Sequence, residues 1–177
     1  MGRDLTVGEV WLSREIYGNS VNYSRVKVHH GRAMIFQADN SGMTPSGEIY
    51  MSGNAYYNDY SVENAGTQGF FIHEMGHVWQ YQNRILDPVL AAIGEFFSHG
   101  FNYSRAYRYL LDANKTLIDY DIEQQASILE DYFRVVKRGI EFRQGNIQNG
   151  GTRDEKIALL RAVLANFLTD PSLPNRR

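Results

Sequence analysis

The segment that most constrains this fold is an apolar run from Phe70 to Trp79 that contains two histidines and a glutamate. Residues 73–77 form the pattern HExxH, with His73 and His77 flanking Glu74 and two small or apolar residues. In a helix, residues four apart lie on the same face about 6 Å from each other. The two imidazoles can therefore bind one tetrahedral zinc ion.

The alternative is a packing helix in which the pattern arises by chance. The residues around the pattern are strongly apolar, and burying two imidazoles and a carboxylate among them costs free energy unless they are paired or bound. We therefore interpret His73 and His77 as metal ligands. Glu74 is then the general base that takes a proton from metal-activated water during hydrolysis of a peptide or amide bond.

Length and composition predict a single domain with its own core, since the chain has 177 residues of which 43% are hydrophobic. We assign a zinc metallopeptidase-like domain to residues 1–168 and a flexible C-terminal tail to residues 169–177. The chain has no cysteine. Thiolate ligands, disulfides and cysteine nucleophiles are therefore excluded, and a metal site must use histidine and carboxylate.

Charge and hydropathy exclude two classes of partner. The formal net charge is -2 with the signs interspersed, so nucleic acid is not an expected partner. The sequence has no apolar run long enough for a membrane span. Residues 1–10 lack the basic start and apolar middle of a signal peptide, so we expect no export by the general secretory route.

Periodicity and turn residues predict an α+β fold. We expect a mostly helical single domain with a small sheet next to the HExxH helix, a minimal zincin-like architecture. The predicted helices cover residues 6–17, 67–83, 88–98, 102–111, 119–137 and a last segment that begins at 152. The predicted strands cover residues 26–29, 33–37 and 47–51, with the first two paired across a turn.

The strand predicted at 47–51 has two interpretations. In the common architecture of HExxH peptidases, an edge strand beside the active-site helix pairs with the extended substrate backbone, and this strand is well placed in sequence for that role. It fits an interior strand of a small sheet equally well. The sequence leaves both interpretations open.

A catalytic zinc site needs a third protein ligand. The HExxHxxGxxH subclass is excluded, because Gln80 and Asn83 stand where that pattern has glycine and histidine. The remaining candidates are downstream carboxylates or His99. Glu95 lies 18 residues (95 minus 77) beyond the second histidine, and Glu123 lies 46 residues (123 minus 77) beyond it. Spacing allows either glutamate, and a solvated helix face is the competing interpretation for such acids.

Several other residues could support the site. Glu130 and Asp131 follow Glu123 on the same predicted helix and could accept a hydrogen bond from a ligating imidazole. Tyr120, Tyr132 and His30 could donate a hydrogen bond to a developing oxyanion. The competing interpretations are two core tyrosines with satisfied hydroxyls and a histidine in a turn.

A resemblance rests on motifs spread over residues 5–135, which stand in this order: Gly8-Glu9-Val10, Tyr17-Gly18, Val26-x-Val28-His29, Met43-Thr44-Pro45-x-Gly47-x-Ile49-Tyr50, His73-Glu74-Met75-Gly76-His77-Val78-Trp79-Gln80 and Glu123-Gln124-Gln125-Ala126. Together they resemble the gluzincin-like zinc metallopeptidase effector domain attached to, or encoded beside, VgrG-type spike proteins of bacterial type VI secretion. The HExxHVWQ and EQQA segments are the more specific part of the match.

The resemblance implies a function and a third ligand. It implies that Glu123 completes the zinc site, and that the chain is an antibacterial toxin that cleaves a protein or peptide in the periplasm of a target cell. It further implies contact-dependent secretion from the producer's cytoplasm without a signal peptide, with a VgrG-type spike and a cognate immunity protein as partners. The sequence includes no spike domain, so both a separately encoded relative and an excised C-terminal domain are compatible with it.

Two alternatives to a secreted peptidase remain at this stage. One is a non-catalytic, metal-stabilised binding or adaptor module of a secretion system, in which Glu74 would have no chemical role. The other is a housekeeping metallopeptidase that stays in the producer's cytoplasm.

Overall fold

A computed structural model of the chain describes residues 2–85 and 106–172. In this part of the chain the α-helices, numbered in chain order, are α1 Val7–Tyr17, α2 Ala65–Gln82, α3 Ile122–Tyr132, α4 Arg153–Val163 and α5 Ala165–Thr169. The strands are β1 Arg3–Asp4, β2 Lys27–His30, β3 Gly42–Met43 and β4 Ile49–Met51. The predicted α+β single domain, with a small sheet and a larger helical part, is confirmed. The boundary at residue 168 stays a prediction.

The four strands form one mixed sheet in the order β1-β2-β4-β3. β2 and β4 are parallel, with Val28 opposite Ile49, while β1 and β3 run antiparallel to their neighbours. Val28 and Ile49 are buried in the core. On the opposite face, the rings of His29 and Tyr50 stack at 4.2 Å, as the alternation of side chains along paired strands requires.

One sequence prediction about the sheet is wrong, and the structure decides between the two interpretations that the sequence left open for residues 47–51. Residues 33–37 form a loop instead of a strand, and the Gln37 side chain organises it by accepting a hydrogen bond from Ala33 N and donating to Ser41 O and Tyr50 O. β4 is an interior strand between β2 and β3, so the segment 47–51 offers no free edge to a substrate. The edge position beside it belongs to β3, which the sequence pattern did not predict.

A buried ion pair fixes the N-terminal part of the chain. Glu9 is completely buried and accepts two hydrogen bonds from the Arg3 guanidinium, at 2.7 and 2.8 Å. Its carboxylate also accepts from Thr6 N, which completes the capping box at the start of α1, and from Tyr60 N. One carboxylate therefore joins β1, α1 and the loop that precedes α2.

α2 is the central helix of the described fold. It begins at an Asn64 cap and buries every residue from Phe71 to Gln80, including Ile72 and Trp79. The Tyr17 hydroxyl donates to Ile72 O at 2.7 Å and so attaches α1 to it. A helix buried all round in this way belongs to the core, which agrees with its strongly apolar sequence.

α3 packs closely against α2. A Cβ atom on Gly76 would lie 3.3 Å from both Cα and Cβ of Ala126, so the missing side chain at Gly76 allows the two helices to approach. The helix predicted at 119–137 begins at Ile122, after an Asp121 capping box, and continues from α3 into a π-helical turn at Phe133–Lys137. This contact brings the start of α3 beside the HExxH segment.

Other helix predictions have mixed outcomes. The helix predicted from residue 152 exists, but it breaks at Leu164 into α4 and α5. In its described part, the prediction for 102–111 is correct at Ala106 and wrong from Tyr107 on, where Tyr109 forms a parallel bridge with Ile147. The prediction for 88–98 lies outside the described residues. Among the helices that are described, none combines the length and the apolar character that crossing a membrane requires.

Candidate metal centre

Three side chains meet where α2 faces the start of α3. His73 Nε2 lies 3.2 Å from Glu123 Oε2, and His77 Nε2 lies 3.3 Å from the same oxygen. One ligand atom from each residue lies within 4.8 Å of the other two. His73 and His77 are buried and Glu123 is partly buried, so the cluster could hold a metal ion.

Local structure explains why these three residues meet. His73 and His77 project from one face of α2 because they are four residues apart, and their ring centroids are 5.0 Å apart. Glu123 is the second residue of α3, immediately after its cap, and Ala126 one turn later contacts Gly76. The close contact at Gly76 therefore sets the distance between the carboxylate and both imidazoles.

Each imidazole has an acceptor near its second nitrogen. His77 Nδ1 lies 2.8 Å from Gln80 Oε1, and His73 Nδ1 lies 3.4 Å from Glu130 Oε2. Glu130 is itself held by Arg143, whose Nη1 donates to both carboxylate oxygens at 3.0 and 3.1 Å. The hydrogen bond to Gln80 directs His77 Nε2 toward Glu123, whereas the approach of Glu130 to His73 Nδ1 is an ion-pair contact.

The charges of the cluster are strongly coupled. Burial lowers the pKa of His73, but the hydrogen bonds and charges of Glu123 and Glu130 outweigh it and raise the pKa to about 10. The pKa of His77 is raised as well. Burial lowers it, but the charge and hydrogen bond of Glu123 outweigh burial. Burial raises the pKa of Glu123, but the two imidazoles outweigh it and hold that pKa well below its usual range. The nearby carboxylates therefore favour the protonated form of both rings, and a metal ion would compete with those protons.

Glu74 lies beside this cluster without belonging to it. Its buried carboxylate accepts a hydrogen bond from Thr44 Oγ1 at 2.7 Å, and its charge raises the pKa of His77. Gly42 of β3 packs directly against it, since a Cβ atom there would lie 2.4 Å from Glu74 Oε1. The edge strand and the HExxH carboxylate are thus in contact. The roles of Gly42 and Thr44 are not visible in the sequence, because no local pattern shows that β3 packs on α2.

Asp131 takes part in a different network. Its carboxylate accepts from the Tyr109 hydroxyl and from Arg143 N, both at 2.5 Å. Burial raises the pKa of Asp131 to about 7 against the opposing effect of these two hydrogen bonds. Asp131 therefore anchors the segment around Arg143, whereas Glu130 is the acid that the structure brings to an imidazole.

The remaining predicted residues lie in other surroundings. The Tyr120 hydroxyl accepts from Asp112 N and donates to Leu110 O, as a core tyrosine with a satisfied hydroxyl would. Tyr132 is buried, with Lys137 Nζ over its ring, and the His30 ring stacks on Tyr56 at 4.4 Å.

A tyrosine that sequence analysis did not select lies closer to the cluster. The Tyr107 ring centroid is 5.5 Å from that of His73. Its position became visible only in the tertiary structure, because no spacing relates it to the HExxH pattern. The rival ligands Glu95 and His99 lie outside the described residues.

Comparison with known proteins places the chain in a family. No protein-family model matches it. The type VI secretion system spike protein VgrG2b of Pseudomonas aeruginosa is 38% identical over 136 residues, which cover 75% of this chain and 13% of that protein. The solved effector domain of Pseudomonas aeruginosa VgrG2b matches with a TM-score of 0.68 and 32% identity, over 93% of this chain and 83% of that domain.

The chain belongs to the family of the VgrG2b effector domain. The match covers most of that domain but only 13% of the length of full VgrG2b, so it concerns the effector part of the spike protein. The expected resemblance to a VgrG-associated effector domain is therefore confirmed at the level of the family. The chemistry that this member of the VgrG2b effector family performs is a separate question, which its own residues must answer.

We predict that metal binding requires both histidines of the cluster. His73→Ala and His77→Ala each remove one of three candidate ligands, and the metal content of the purified protein should fall to near zero by elemental analysis. His30→Ala is the matched control, because its ring stacks on Tyr56 and should leave the metal content unchanged. Near-stoichiometric metal in both cluster variants would contradict the assignment.

A second prediction separates Glu123 from Glu95. A ligand carboxylate must come within about 2.0 to 2.2 Å of zinc, and shortening a side chain by one methylene on a packed helix withdraws the oxygen further than this tolerance. Glu123→Asp should weaken metal affinity by more than about a hundredfold, beyond the range of an indirect effect. Glu95→Asp should change it little, as measured by competition with a chelator. The reverse ranking would transfer the third ligand to Glu95.

A third prediction uses the raised pKa of Asp131. The native state holds this proton up to about pH 7, whereas the unfolded chain loses it near the ordinary value of 3.8. Native protein thus binds more protons between those values, and the free energy of unfolding should fall as pH rises from 4 to 7. In the parent, this decrease in the free energy of unfolding should be on the order of a few kcal/mol. Denaturant titrations of Asp131→Asn across the same pH range should show no such decrease.

Asp39→Asn provides the control for that experiment, because the Asp39 side chain is 72% exposed and lies in a loop. Its curve of stability against pH should follow the parent's. If Asp131→Asn followed the parent's curve as well, the buried proton assigned to Asp131 would be wrong.

Proposed function

We propose that this chain is a zinc-dependent peptidase that hydrolyses a peptide or amide bond and acts as a type VI secretion effector. The observation that carries the proposal is Glu74. This buried carboxylate lies beside the three candidate ligands, is held by Thr44, and is not needed as a ligand itself. Such a group has no purpose in a purely structural metal site, whereas hydrolysis requires a general base in this position.

The donor set fits zinc. Tetrahedral zinc with bonds of about 2.0 to 2.1 Å keeps its ligand atoms about 3.3 to 3.4 Å apart. Glu123 Oε2 lies 3.2 Å from His73 Nε2 and 3.3 Å from His77 Nε2, close to that spacing. Two imidazoles and one carboxylate are also the ligands of many catalytic zinc sites that keep a fourth position open. His73, His77 and Glu123 would therefore hold the ion.

The chain's own residues supply the proton transfers. When bound, zinc would act as a Lewis acid that polarises the scissile carbonyl and lowers the pKa of water. Glu74 accepts a proton from the attacking water as the water oxygen bonds to the carbonyl carbon. The carbon–nitrogen bond then breaks, and Glu74 returns the proton to the departing amine. Thr44 holds the carboxylate in place through its hydroxyl, and the contact with Gly42 limits its movement.

The edge strand β3 offers a place for the substrate backbone. It lies at the end of the sheet order, antiparallel to β4, and Gly42 contacts Glu74 directly. An extended peptide that added to this edge would pass next to the proposed general base. We therefore transfer to β3 the substrate-pairing role that the sequence had suggested for residues 47–51.

Similarity to VgrG2b supports the secretion part of the proposal. The relative is a type VI secretion spike protein and its matched part is an effector domain. We propose that this chain is delivered by contact-dependent secretion from the producer's cytoplasm and cleaves a protein or peptide in the target periplasm. A VgrG-type spike would carry it, and a cognate immunity protein would protect the producer.

We predict that Glu74→Gln retains bound zinc and the fold but loses activity, because the amide preserves shape and cannot accept the proton. Toxicity on periplasmic expression is the readout, together with zinc content by elemental analysis. Glu141→Gln is the control, since its side chain is 83% exposed and pairs with Arg153. A Glu74→Gln variant that remained as toxic as the parent would favour the non-catalytic adaptor.

Expression of the parent protein in the periplasm and in the cytoplasm tests the compartment in which it acts. A periplasmic toxin should arrest growth when it is exported by an added signal sequence and be harmless when it is retained in the cytoplasm. Equal tolerance of both forms, with peptidase activity in vitro, would favour the cytoplasmic housekeeping peptidase.

A further inference from the structure

Two buried glutamines connect the HExxH helix to the helix that carries Glu123. Gln80 is completely buried and Gln125 is 3% exposed. Gln80 Oε1 lies 2.8 Å from His77 Nδ1, and Gln80 Nε2 donates to Ile122 O at 2.9 Å and to Gln125 Oε1 at 3.0 Å. The chain of contacts ends where Gln125 Nε2 donates to Tyr120 O at 2.7 Å.

The orientation of both amides is fixed by groups that can only accept. A backbone carbonyl has no proton to give, so the atom of Gln80 that faces Ile122 O must be nitrogen. By the same reasoning, the atom of Gln125 that faces Tyr120 O must be nitrogen, which directs its oxygen toward Gln80. The Gln80 oxygen therefore points at His77.

This orientation determines the hydrogen on His77. An amide oxygen only accepts, so His77 Nδ1 must donate to it and must carry the hydrogen. In the neutral ring the lone pair is then left on Nε2, the atom that lies 3.3 Å from Glu123 Oε2. A metal ion in the cluster requires its ligand nitrogen in this form.

We propose that Gln80 is a positioning residue for the metal site, which holds His77 with Nε2 free to bind the ion, and that Gln125 fixes the amide of Gln80. The inference rests on the proposed zinc site. It adds that the Gln80 side chain selects the tautomer of His77, one of the proposed ligands. Because Gln80 also holds the carbonyl of Ile122, next to Glu123, the same side chain ties both ligand-bearing helices together.

Substitutions at Gln80 separate positioning from packing. Gln80→Met has a similar shape but no acceptor for His77, so the zinc dissociation constant should rise by about tenfold to a hundredfold. Gln80→Glu keeps an oxygen facing His77 Nδ1 and should bind zinc about as tightly as the parent. Its second oxygen, however, would face Ile122 O and Gln125 Oε1. Gln80→Glu should therefore be less stable to denaturant than the parent although its zinc affinity is retained.

The experiment measures zinc affinity by chelator competition, and stability of the metal-free proteins by denaturant titration. Gln82→Met is the matched control on the same helix, because its amide bonds to the backbone of Asn22 away from the cluster. It should leave zinc affinity unchanged. Gln125→Met should weaken zinc binding in the same direction as Gln80→Met but by less, and it provides the test if Gln80→Met does not fold.

The outcomes distinguish this inference from the proposed function. Zinc affinity that is retained in Gln80→Glu and lost in Gln80→Met supports positioning. Affinity that simply follows stability across the variants, or that is equal in Gln80→Met and the parent, overturns it while the zinc site stands. A parent protein that binds no zinc would overturn the site itself, and this inference with it.

Discussion

The close packing of α2 against α3 at Gly76 is the contact on which the rest of the site depends. Both imidazoles come from α2 and the carboxylate comes from α3, so the separation of the helices sets the distance from the carboxylate to each imidazole. A Cβ at Gly76 would already lie 3.3 Å from Ala126, which is tighter than ordinary van der Waals contact. A side chain there would require α2 or α3 to shift by a few tenths of an ångström, which would change the approach of Glu123 to the imidazoles.

Buried charged side chains have two different roles in this fold, and the groups that contact them distinguish the two. Glu9 is completely buried, and its oxygens are satisfied by Arg3 and by the backbone of Thr6 and Tyr60. That carboxylate is structural. At the cluster, by contrast, the pKa of His73 rises to about 10 against burial, because two nearby carboxylates stabilise the protonated ring. The groups that raise this pKa belong to, or lie beside, the cluster that could hold a metal ion.

Support for the cluster extends outward in two directions. On one side, Arg143 holds Glu130, which lies near His73, and the Asp131 carboxylate fixes the backbone of Arg143. On the other side, the amides of Gln80 and Gln125 connect His77 to the turn before α3. These contacts limit the movement of the two rings, so the cluster that could hold a metal ion is supported by the surrounding protein.

The sequence by itself determined the local features of this protein. The four-residue spacing of His73 and His77 places them on one helical face in any context, and the capping box at Thr6 starts α1 where it was predicted. The motif order also indicated the effector family that the comparisons then showed. These properties depend on neighbours in the chain, which a sequence displays directly.

Only the tertiary structure decided which distant groups meet. Spacing allowed Glu123 as a ligand but could not bring it to the imidazoles, because periodicity does not reveal which helix packs on which. For the same reason Glu130 and not Asp131 reaches an imidazole, and β4 is interior while β3 takes the edge beside Glu74. The direction of the Gln80 amide depends on the carbonyl of Ile122, 42 residues away in the chain, and no local rule could supply it.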